Sequence, residues 1–133
     1  MNDAKGIRLY DKWLRNIRRG RRIDSFLLDN MYFDVAIYGM GMIGKQVLDE
    51  LENTDVCVRF GIDNRASELK HRGIEIVHPS EILKLKSVSV IIVTPFEEYL
   101  EIEKKLTNYI DKEKTDIISI HTIVDKLYAL ELH

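Results

Sequence analysis

A glycine-rich segment over residues 35–44 is the part of this chain whose residue types and spacing indicate chemistry. Gly39, Gly41 and Gly44 form the pattern G-x-G-x-x-G, after a short apolar run and before a helical pattern. Glycines at this spacing allow a sharp turn, bring backbone N–H groups close to a pyrophosphate, and let the new helix pack tightly on the strand. The first helical turn adds unpaired N–H groups and a positive dipole end. The segment therefore predicts a nucleotide-binding turn.

An acidic residue follows the glycines at the distance that such a site requires. Asp63 lies 19 residues after Gly44, where the next strand-like run ends. An acid about 20 residues on binds a ribose hydroxyl in dinucleotide-binding domains, and it favours NAD because a carboxylate repels the 2′-phosphate of NADP. Arg65 weakens that preference because it could pair with the phosphate, and a turn or helix-capping role for Asp63 is the alternative.

The predicted ligand-binding residues lie at the ends of three strand-like runs. Thr94 could hydrogen-bond a pyrophosphate or ribose, or Thr94 and Pro95 could simply end a strand, and Asn64 leaves the same two alternatives. The complete predicted set is Gly39, Met40, Gly41, Met42, Ile43, Gly44, Asp63, Asn64, Thr94 and Pro95.

Other motifs are incomplete. Gly39, Gly44 and Lys45 fit the start of a P-loop, but the next residue is Gln46 instead of the Ser or Thr that binds Mg²⁺. No tyrosine precedes a lysine by four positions, as the proton-transfer pair of short-chain dehydrogenases requires. The histidines (His71, His78, His121 and His133) form no zinc-binding pattern, and His121 is the one placed at a strand end. We predict no metal site and no catalytic residue.

Composition is typical of one globular domain. The chain has 133 residues, of which 45% are hydrophobic and 32% charged. No apolar run approaches the ~18 residues of a membrane-spanning helix, and no signal peptide is evident. Cys57 is the single cysteine, predicted to be a small core residue. These features predict a cytoplasmic protein.

The first 32 residues predict a helical extension that precedes the nucleotide-binding domain of residues 33–133. They hold eight Lys/Arg against four Asp, a local charge of +4, whereas the rest carries −6. Helical spacing places five apolar residues on one face of a first helix, Gly20 at its end, and Asp24 as the cap of a second. This hairpin packs on the sheet or on a second copy or partner. The apolar face comprises Ile7, Tyr10, Trp13, Leu14 and Ile17, and the basic run comprises Arg15, Arg18, Arg19, Arg21 and Arg22.

Strand and helix patterns alternate through the remainder. Strands are predicted over residues 34–38, 55–62, 74–77, 87–93 and 115–120, and helices over 42–52, 78–85, 97–109 and 123–130, with a short helical or looped piece over 65–71. This alternation predicts an α/β fold with a doubly wound, mainly parallel five-stranded sheet in the order 3-2-1-4-5. Ligands of such sheets bind at the carboxyl ends of the strands, where the order reverses.

Four segments resemble the small Rossmann domains of bacterial surface-polysaccharide biosynthesis proteins. They read VAIYGMGMIGKQVLDEL, FGIDN, RGIEIVHPSEI and VSVIIVTP. Similar domains precede the catalytic parts of sugar acyltransferases and of nucleotide-sugar dehydratases. The resemblance implies that Gly39, Gly41 and Gly44 hold the pyrophosphate of a nucleotide-sugar, with Asp63 on the ribose. The chain has neither the hexapeptide repeats of the acyltransferases nor the membrane segments of the dehydratases.

Three functions remain open on the sequence. The first is a nucleotide-binding module for NAD(H) or a nucleotide-sugar, non-catalytic alone, that serves sugar or capsule assembly. The second is an interaction domain with a ligand-free Rossmann frame, which contacts a dimer mate or partner enzyme through the N-terminal helix. The third is an oxidoreductase fragment completed by another domain. Nucleic acid is not an expected partner, because the chain is acidic overall and shows no recognition motif.

Overall fold

The computed structural model describes residues 3–68, 73–84 and 87–130. Five parallel strands form one sheet in the order β3-β2-β1-β4-β5, which confirms the predicted doubly wound topology. The strands are β1 (Asp34–Tyr38), β2 (Cys57–Ile62), β3 (Glu75–Val77), β4 (Val90–Val93) and β5 (Asp116–Ser119). The order reverses beside β1, so the carboxyl ends of β1 and β4 flank the crevice in which such sheets bind ligands.

Five α-helices and three short 3₁₀ segments cover this sheet in the described part of the chain. The helices are α1 (Asp3–Arg18), α2 (Ile23–Asp29), α3 (Met42–Leu51), α4 (Tyr99–Leu106) and α5 (Ile120–Ala129). The 3₁₀ segments are Ala66–Glu68, Pro79–Lys84 and Phe96–Glu98. The piece predicted as a helix from residue 78 is thus a 3₁₀ segment, and His71 and His133 lie outside the described residues. No helix among the described residues has the length and apolar character needed to cross a membrane.

Alternating strand residues divide the core between the two faces of the sheet. Val35 and Ile37 of β1 point to the face covered by α3 and α5, whereas Ala36 and Tyr38 point to the face covered by α4. This follows from the period-two geometry of a strand, and it explains why β4 is buried and apolar at every position and why β1 is buried at every position after Asp34. The helices α1 and α2 join the α3 and α5 side through Leu9, Trp13, Ile23 and Leu27.

Helix α1 packs with a different face from the one predicted. Leu9, Trp13 and Asn16 are buried, whereas Ile7 and Leu14 are 68% and 52% exposed and Ile17 is also exposed. Polar anchors decide this orientation: the Asn16 amide donates to the Val124 carbonyl of α5 at 3.1 Å, and the Trp13 indole donates to Glu50 of α3 at 2.8 Å. The prediction was therefore wrong for three of the five apolar residues.

The buried Glu50 carboxylate also determines where α2 begins. Its second oxygen accepts the backbone N–H of Ile23 at 2.7 Å, so a side chain of α3 satisfies the first amide of α2. Arg22 occupies the N-cap position and Asp24 lies in the first turn, where it pairs with Arg22 at 2.9 Å. The predicted capping role of Asp24 is wrong. Gly20 ends α1 with a φ of +72°, as predicted.

Cys57 is exposed, which corrects its predicted place in the core. The first half of β2 is open to solvent and only its last three residues, Phe60 to Ile62, are buried. A register shift opposite Val35 and Ala36 of β1 interrupts the alternation between these two halves. The apolar run in the sequence is therefore longer than the part of β2 that the helices cover.

Candidate functional site: a cleft at the glycine turn

The glycine turn is held by hydrogen bonds from both neighbouring strands. The Gly39 N–H donates to the Ile62 carbonyl at the end of β2, 2.7 Å away. From the other side, the Thr94 hydroxyl lies 2.9 Å from the carbonyl oxygens of Tyr38 and Gly39, either of which can accept its proton. Gly39 has a φ of +89°, a conformation that side chains rarely adopt. The turn is consequently a preformed feature of the fold.

Gly44 and Gly41 have different roles in this turn. A Cβ atom on Gly44 would lie 1.9 Å from the Gly39 carbonyl oxygen, so α3 can approach the turn only because residue 44 is glycine. A Cβ atom on Gly41 would meet nothing within 4 Å. Gly41 is the N-cap of α3, in extended conformation (φ −81°, ψ −154°), and no side chain caps the helix there. The first N–H groups of α3 therefore have no side-chain cap at Gly41.

Asp63 is partly buried against the turn. Its carboxylate accepts the Met40 N–H at 2.9 Å through one oxygen and the Arg65 N–H at 2.9 Å through the other. Its side chain is 13% exposed, and the Arg65 Nε lies 3.9 Å away. A carboxylate has about four lone-pair positions, so each oxygen can still accept a further hydrogen bond. The carboxylate thus orders the turn and retains capacity for a ligand hydroxyl.

A cleft of about 330 Å³ brings most of the predicted residues together. Such a volume is in the range of small-molecule sites. Tyr10 of α1 and Arg65 also contribute to the lining. The predicted residues that line the cleft are Gly39, Gly41, Met42, Ile43, Asp63, Thr94 and Pro95.

The three other predicted residues lie elsewhere. The Met40 side chain is fully buried, so it offers a ligand at most its backbone. Gly44 packs against the Gly39 carbonyl oxygen and is not among the residues that line the cleft. Asn64 is exposed and accepts a hydrogen bond from Lys105 of α4 at 3.3 Å, and it is not among the residues of the cleft. The side chains next to the open amino end of α3 are thus Met42 and Ile43.

Tyr10 is the cleft residue that the ligand motif did not indicate. Its ring stacks on Trp13, with ring centroids 5.9 Å apart and an interplanar angle of 8°. The hydroxyl is buried and has no hydrogen-bond partner among the described residues, and burial raises the pKa of Tyr10. Tyr10 lies 29 positions before Gly39, so no local spacing could have placed it at the glycine turn.

Two further hollows follow the cleft beyond Pro95, at the carboxyl ends of the strands. The Phe96 N–H donates to the Thr94 carbonyl at 2.8 Å, and Pro95 has φ −73° and ψ 77°, the geometry of an inverse γ-turn. A narrower hollow of about 120 Å³ follows this turn, and beyond it an outer hollow of about 320 Å³ lies between α1 and α5. The outer hollow is lined by Lys5, Arg8, Lys12, Phe96, Glu97 and His121.

His121 lines the outer hollow. It lies in the first turn of α5, where its N–H donates to the N-cap Ser119 hydroxyl at 3.1 Å. Its Nε2 is 3.3 Å from Asp125, and its ring meets that of Phe96 edge-on at 5.3 Å. No group of three or more His, Cys, Asp or Glu residues able to hold a metal occurs within residues 3–68, 73–84 and 87–130.

The sequence matches the family described as "C2185-like, N-terminal" over residues 31–118. The matched segment contains the glycine turn, Asp63 and Thr94, but neither α1 nor the described part of α5. A search of curated proteins found no match. The family segment covers about two thirds of the chain. The chain therefore belongs to the C2185-like N-terminal domain family.

Proposed function

We propose that this domain binds a diphosphate-containing nucleotide, NAD(H) or a nucleotide-sugar, and serves an enzyme of sugar modification or bacterial surface-polysaccharide assembly without catalysing a reaction alone. The observation that carries the proposal is the uncapped amino end of α3 at Gly41, which opens into the same cleft as Asp63. An exposed helix N-terminus beside a ribose-binding acid is the arrangement by which α/β sheets bind nucleotides.

Each part of such a ligand has a counterpart in the cleft. The N–H groups at the start of α3 and its positive dipole end suit the diphosphate. Asp63 suits the ribose hydroxyls because both of its oxygens can accept one more hydrogen bond. Arg65 is 64% exposed beside Asp63, and its guanidinium could pair with a 2′-phosphate. The proposed ligand class therefore includes NADP(H) as well as NAD(H).

The link to sugar chemistry has a separate basis. It rests on the four sequence segments that resemble the nucleotide-binding domains of sugar acyltransferases and nucleotide-sugar dehydratases. Because fold alone does not determine function, the ligand must be identified by binding.

The test is a binding screen with a glycine variant that preserves the fold. The native chain is measured by thermal shift and calorimetry against NAD, NADH, NADP, NADPH and UDP-, GDP-, CMP- and dTDP-sugars. A ligand at ~100 times its dissociation constant should stabilise the domain by roughly 2.7 kcal/mol. Gly41→Asp should weaken binding at least ~100-fold, because a like charge beside the phosphates costs several kcal/mol.

Substitutions at Gly41 can separate loss of binding from loss of stability. A side chain there meets no neighbour within 4 Å, and Asp and Ser are both favoured N-cap residues. Gly41→Asp and Gly41→Ser should therefore unfold at or above the native temperature, and only the charged variant should lose the ligand. Unchanged affinity in Gly41→Asp would show that the ligand binds elsewhere.

An interaction domain is the second candidate function. The exposed Ile7, Leu14 and Ile17 form an apolar strip along α1, next to the basic run at its end. In addition, Asp63 and Thr94 already have protein partners. If no nucleotide stabilised the native chain, this second function would be favoured, and light scattering would test for self-association.

A further inference from the structure

The outer hollow between α1 and α5 is lined by several basic side chains, although the chain is acidic overall. Lys5, Arg8 and Lys12 line it together with Glu97, and a second carboxylate, Asp125, pairs with Lys12 beside the hollow. The three basic residues follow one another at successive turns of α1, so the helix turns one cationic edge toward the hollow. The His121 ring also lines the hollow, in the first turn of α5 and close to the positive end of that helix dipole.

The structure also fixes two of these side chains in place. Asp125 of α5 accepts a hydrogen bond from the Lys12 ammonium at 2.9 Å and lies 3.3 Å from the His121 ring. Phe96 meets the opposite side of the histidine ring. Lys12 and His121 are thus positioned before any ligand arrives, which reduces the entropy lost on binding.

The outer hollow is linked to the glycine-turn cleft through shared lining residues. The intermediate hollow shares Ile43, Thr94 and Pro95 with the glycine-turn cleft, and Phe96 and Glu97 with the outer hollow. From β2 to β5 the edge crosses three strand spacings, about 14 Å at 4.8 Å each. An extended nucleoside-diphosphate-sugar is of comparable length, so a ligand with its ribose at Asp63 and its diphosphate at Gly41 would reach the outer hollow with its sugar.

We propose that Arg8 and Lys12, with Lys5 and His121, form a subsite for a carboxylate on the sugar of the bound nucleotide, so that the ligand is a nucleoside-diphosphate derivative of an acidic sugar. This inference rests on the proposed nucleotide binding at the glycine turn. A nicotinamide is cationic when oxidised and neutral when reduced, so NAD(H) gains nothing from this lining. A neutral sugar can accept hydrogen bonds from these side chains, but it forms no ion pair with them.

The experiment compares pairs of nucleotide-sugars that differ in a single carboxylate. Calorimetry measures UDP-glucose against UDP-glucuronate, and GDP-mannose against GDP-mannuronate, on the native chain. The acidic member of the pair that binds should be favoured about tenfold, because hydrogen bonds between charged groups are the strong ones. Arg8→Gln should remove most of this preference, because it lowers the affinity for the acidic sugar more than the affinity for the neutral one.

Arg8 is the residue of choice because its substitution leaves the Lys12–Asp125 pair intact. Its Nε donates within α1 to the Ala4 carbonyl, 3.4 Å away, so the helix should remain docked. Arg15→Gln is the matched control: it makes the same charge change on the same helix, outside the outer hollow. It should retain the preference for the acidic sugar.

The outcomes separate the two proposals. Equal affinity for the acidic and neutral sugars, or an acidic preference unchanged in Arg8→Gln, would overturn the subsite while nucleotide binding stands. Tighter binding of NAD than of every acidic sugar would overturn it as well. Failure of every nucleotide to bind would overturn both proposals.

Discussion

At the glycine turn, the cleft is bordered by backbone groups and one partly buried carboxylate, whereas the outer hollow is bordered mainly by side chains of α1 and α5. The first end lies within the family-matched segment, and α1 lies outside it. Backbone groups at the first end are held by Thr94, Asp63 and Ile62, which leaves little freedom for variation. Side chains at the second end can change without disturbing the sheet. In the proposed function, the turn recognises phosphate and α1 discriminates between ligands.

The largest effect is expected at the turn itself. Gly44→Ala places a Cβ atom 1.9 Å from the Gly39 carbonyl oxygen, so α3 must move away from β1. We expect the free energy of unfolding to fall by about 3 kcal/mol, measured by urea denaturation. Gly41→Ala is the matched control, since the same methyl group there meets no neighbour. Equal stability of the two variants would show that the turn is not rigid. The contrast between a rigid glycine turn and a variable outer end would then have no basis.

A smaller effect is expected where α1 is anchored. Glu50→Ala leaves the Trp13 indole and the Ile23 N–H without their acceptor, which should cost about 2 kcal/mol of unfolding free energy. Because α1 carries the outer subsite, the preference for acidic sugars should also weaken, while the affinity for neutral nucleotide-sugars remains.

Glu50→Gln separates these two consequences. It retains one side-chain oxygen as an acceptor, so it should lose less stability and keep α1 in place. If Glu50→Ala weakened neutral and acidic ligands equally, the two ends of the cleft would not be independent.

The smallest effect on stability is expected at Tyr10, the residue of α1 that lines the glycine-turn cleft. The Tyr10 hydroxyl is buried without a partner among the described residues, so Tyr10→Phe should raise the free energy of unfolding of the ligand-free domain by about 1 kcal/mol. Tyr99→Phe is the control, because the Tyr99 hydroxyl donates to Glu103 or Ile117 at 2.8 and 3.0 Å and its loss should destabilise. Destabilisation of Tyr10→Phe would show that its hydroxyl is satisfied.

Much of the frame was predictable because its signals are local. The apolar run of β1, the three glycines and Asp63 lie within 30 residues, and their order alone indicates a strand, a turn, a helix and a second strand. The bounds of β1 were predicted correctly and those of α3 to within one residue. Element ends were less accurate where covering helices decided burial. β4 begins at Val90 instead of residue 87, and Cys57 lies on the uncovered half of β2.

The burial of α1 was not predictable from its apolar pattern. Ile7 and Leu14 suggested one face, but the polar contacts of Asn16 with Val124 and of Trp13 with Glu50 orient another toward the core. These partners are 108 and 37 residues apart in sequence. A buried polar group must find its hydrogen bond, and this requirement outweighed the exposure of three aliphatic side chains.

The sequence by itself determined the doubly wound sheet, the glycine turn and the acid beside it, because period-two burial, glycine spacing and helix starts act over short stretches of chain. Only the tertiary structure decided that Gly44 serves packing while Gly41 opens to the cleft, and that Asp63 and Thr94 hold the turn. It alone brought Tyr10, Arg8 and Lys12 to the same edge as His121. The physical reason is that these contacts depend on how α1 docks against α3 and α5, which no local pattern of residues encodes.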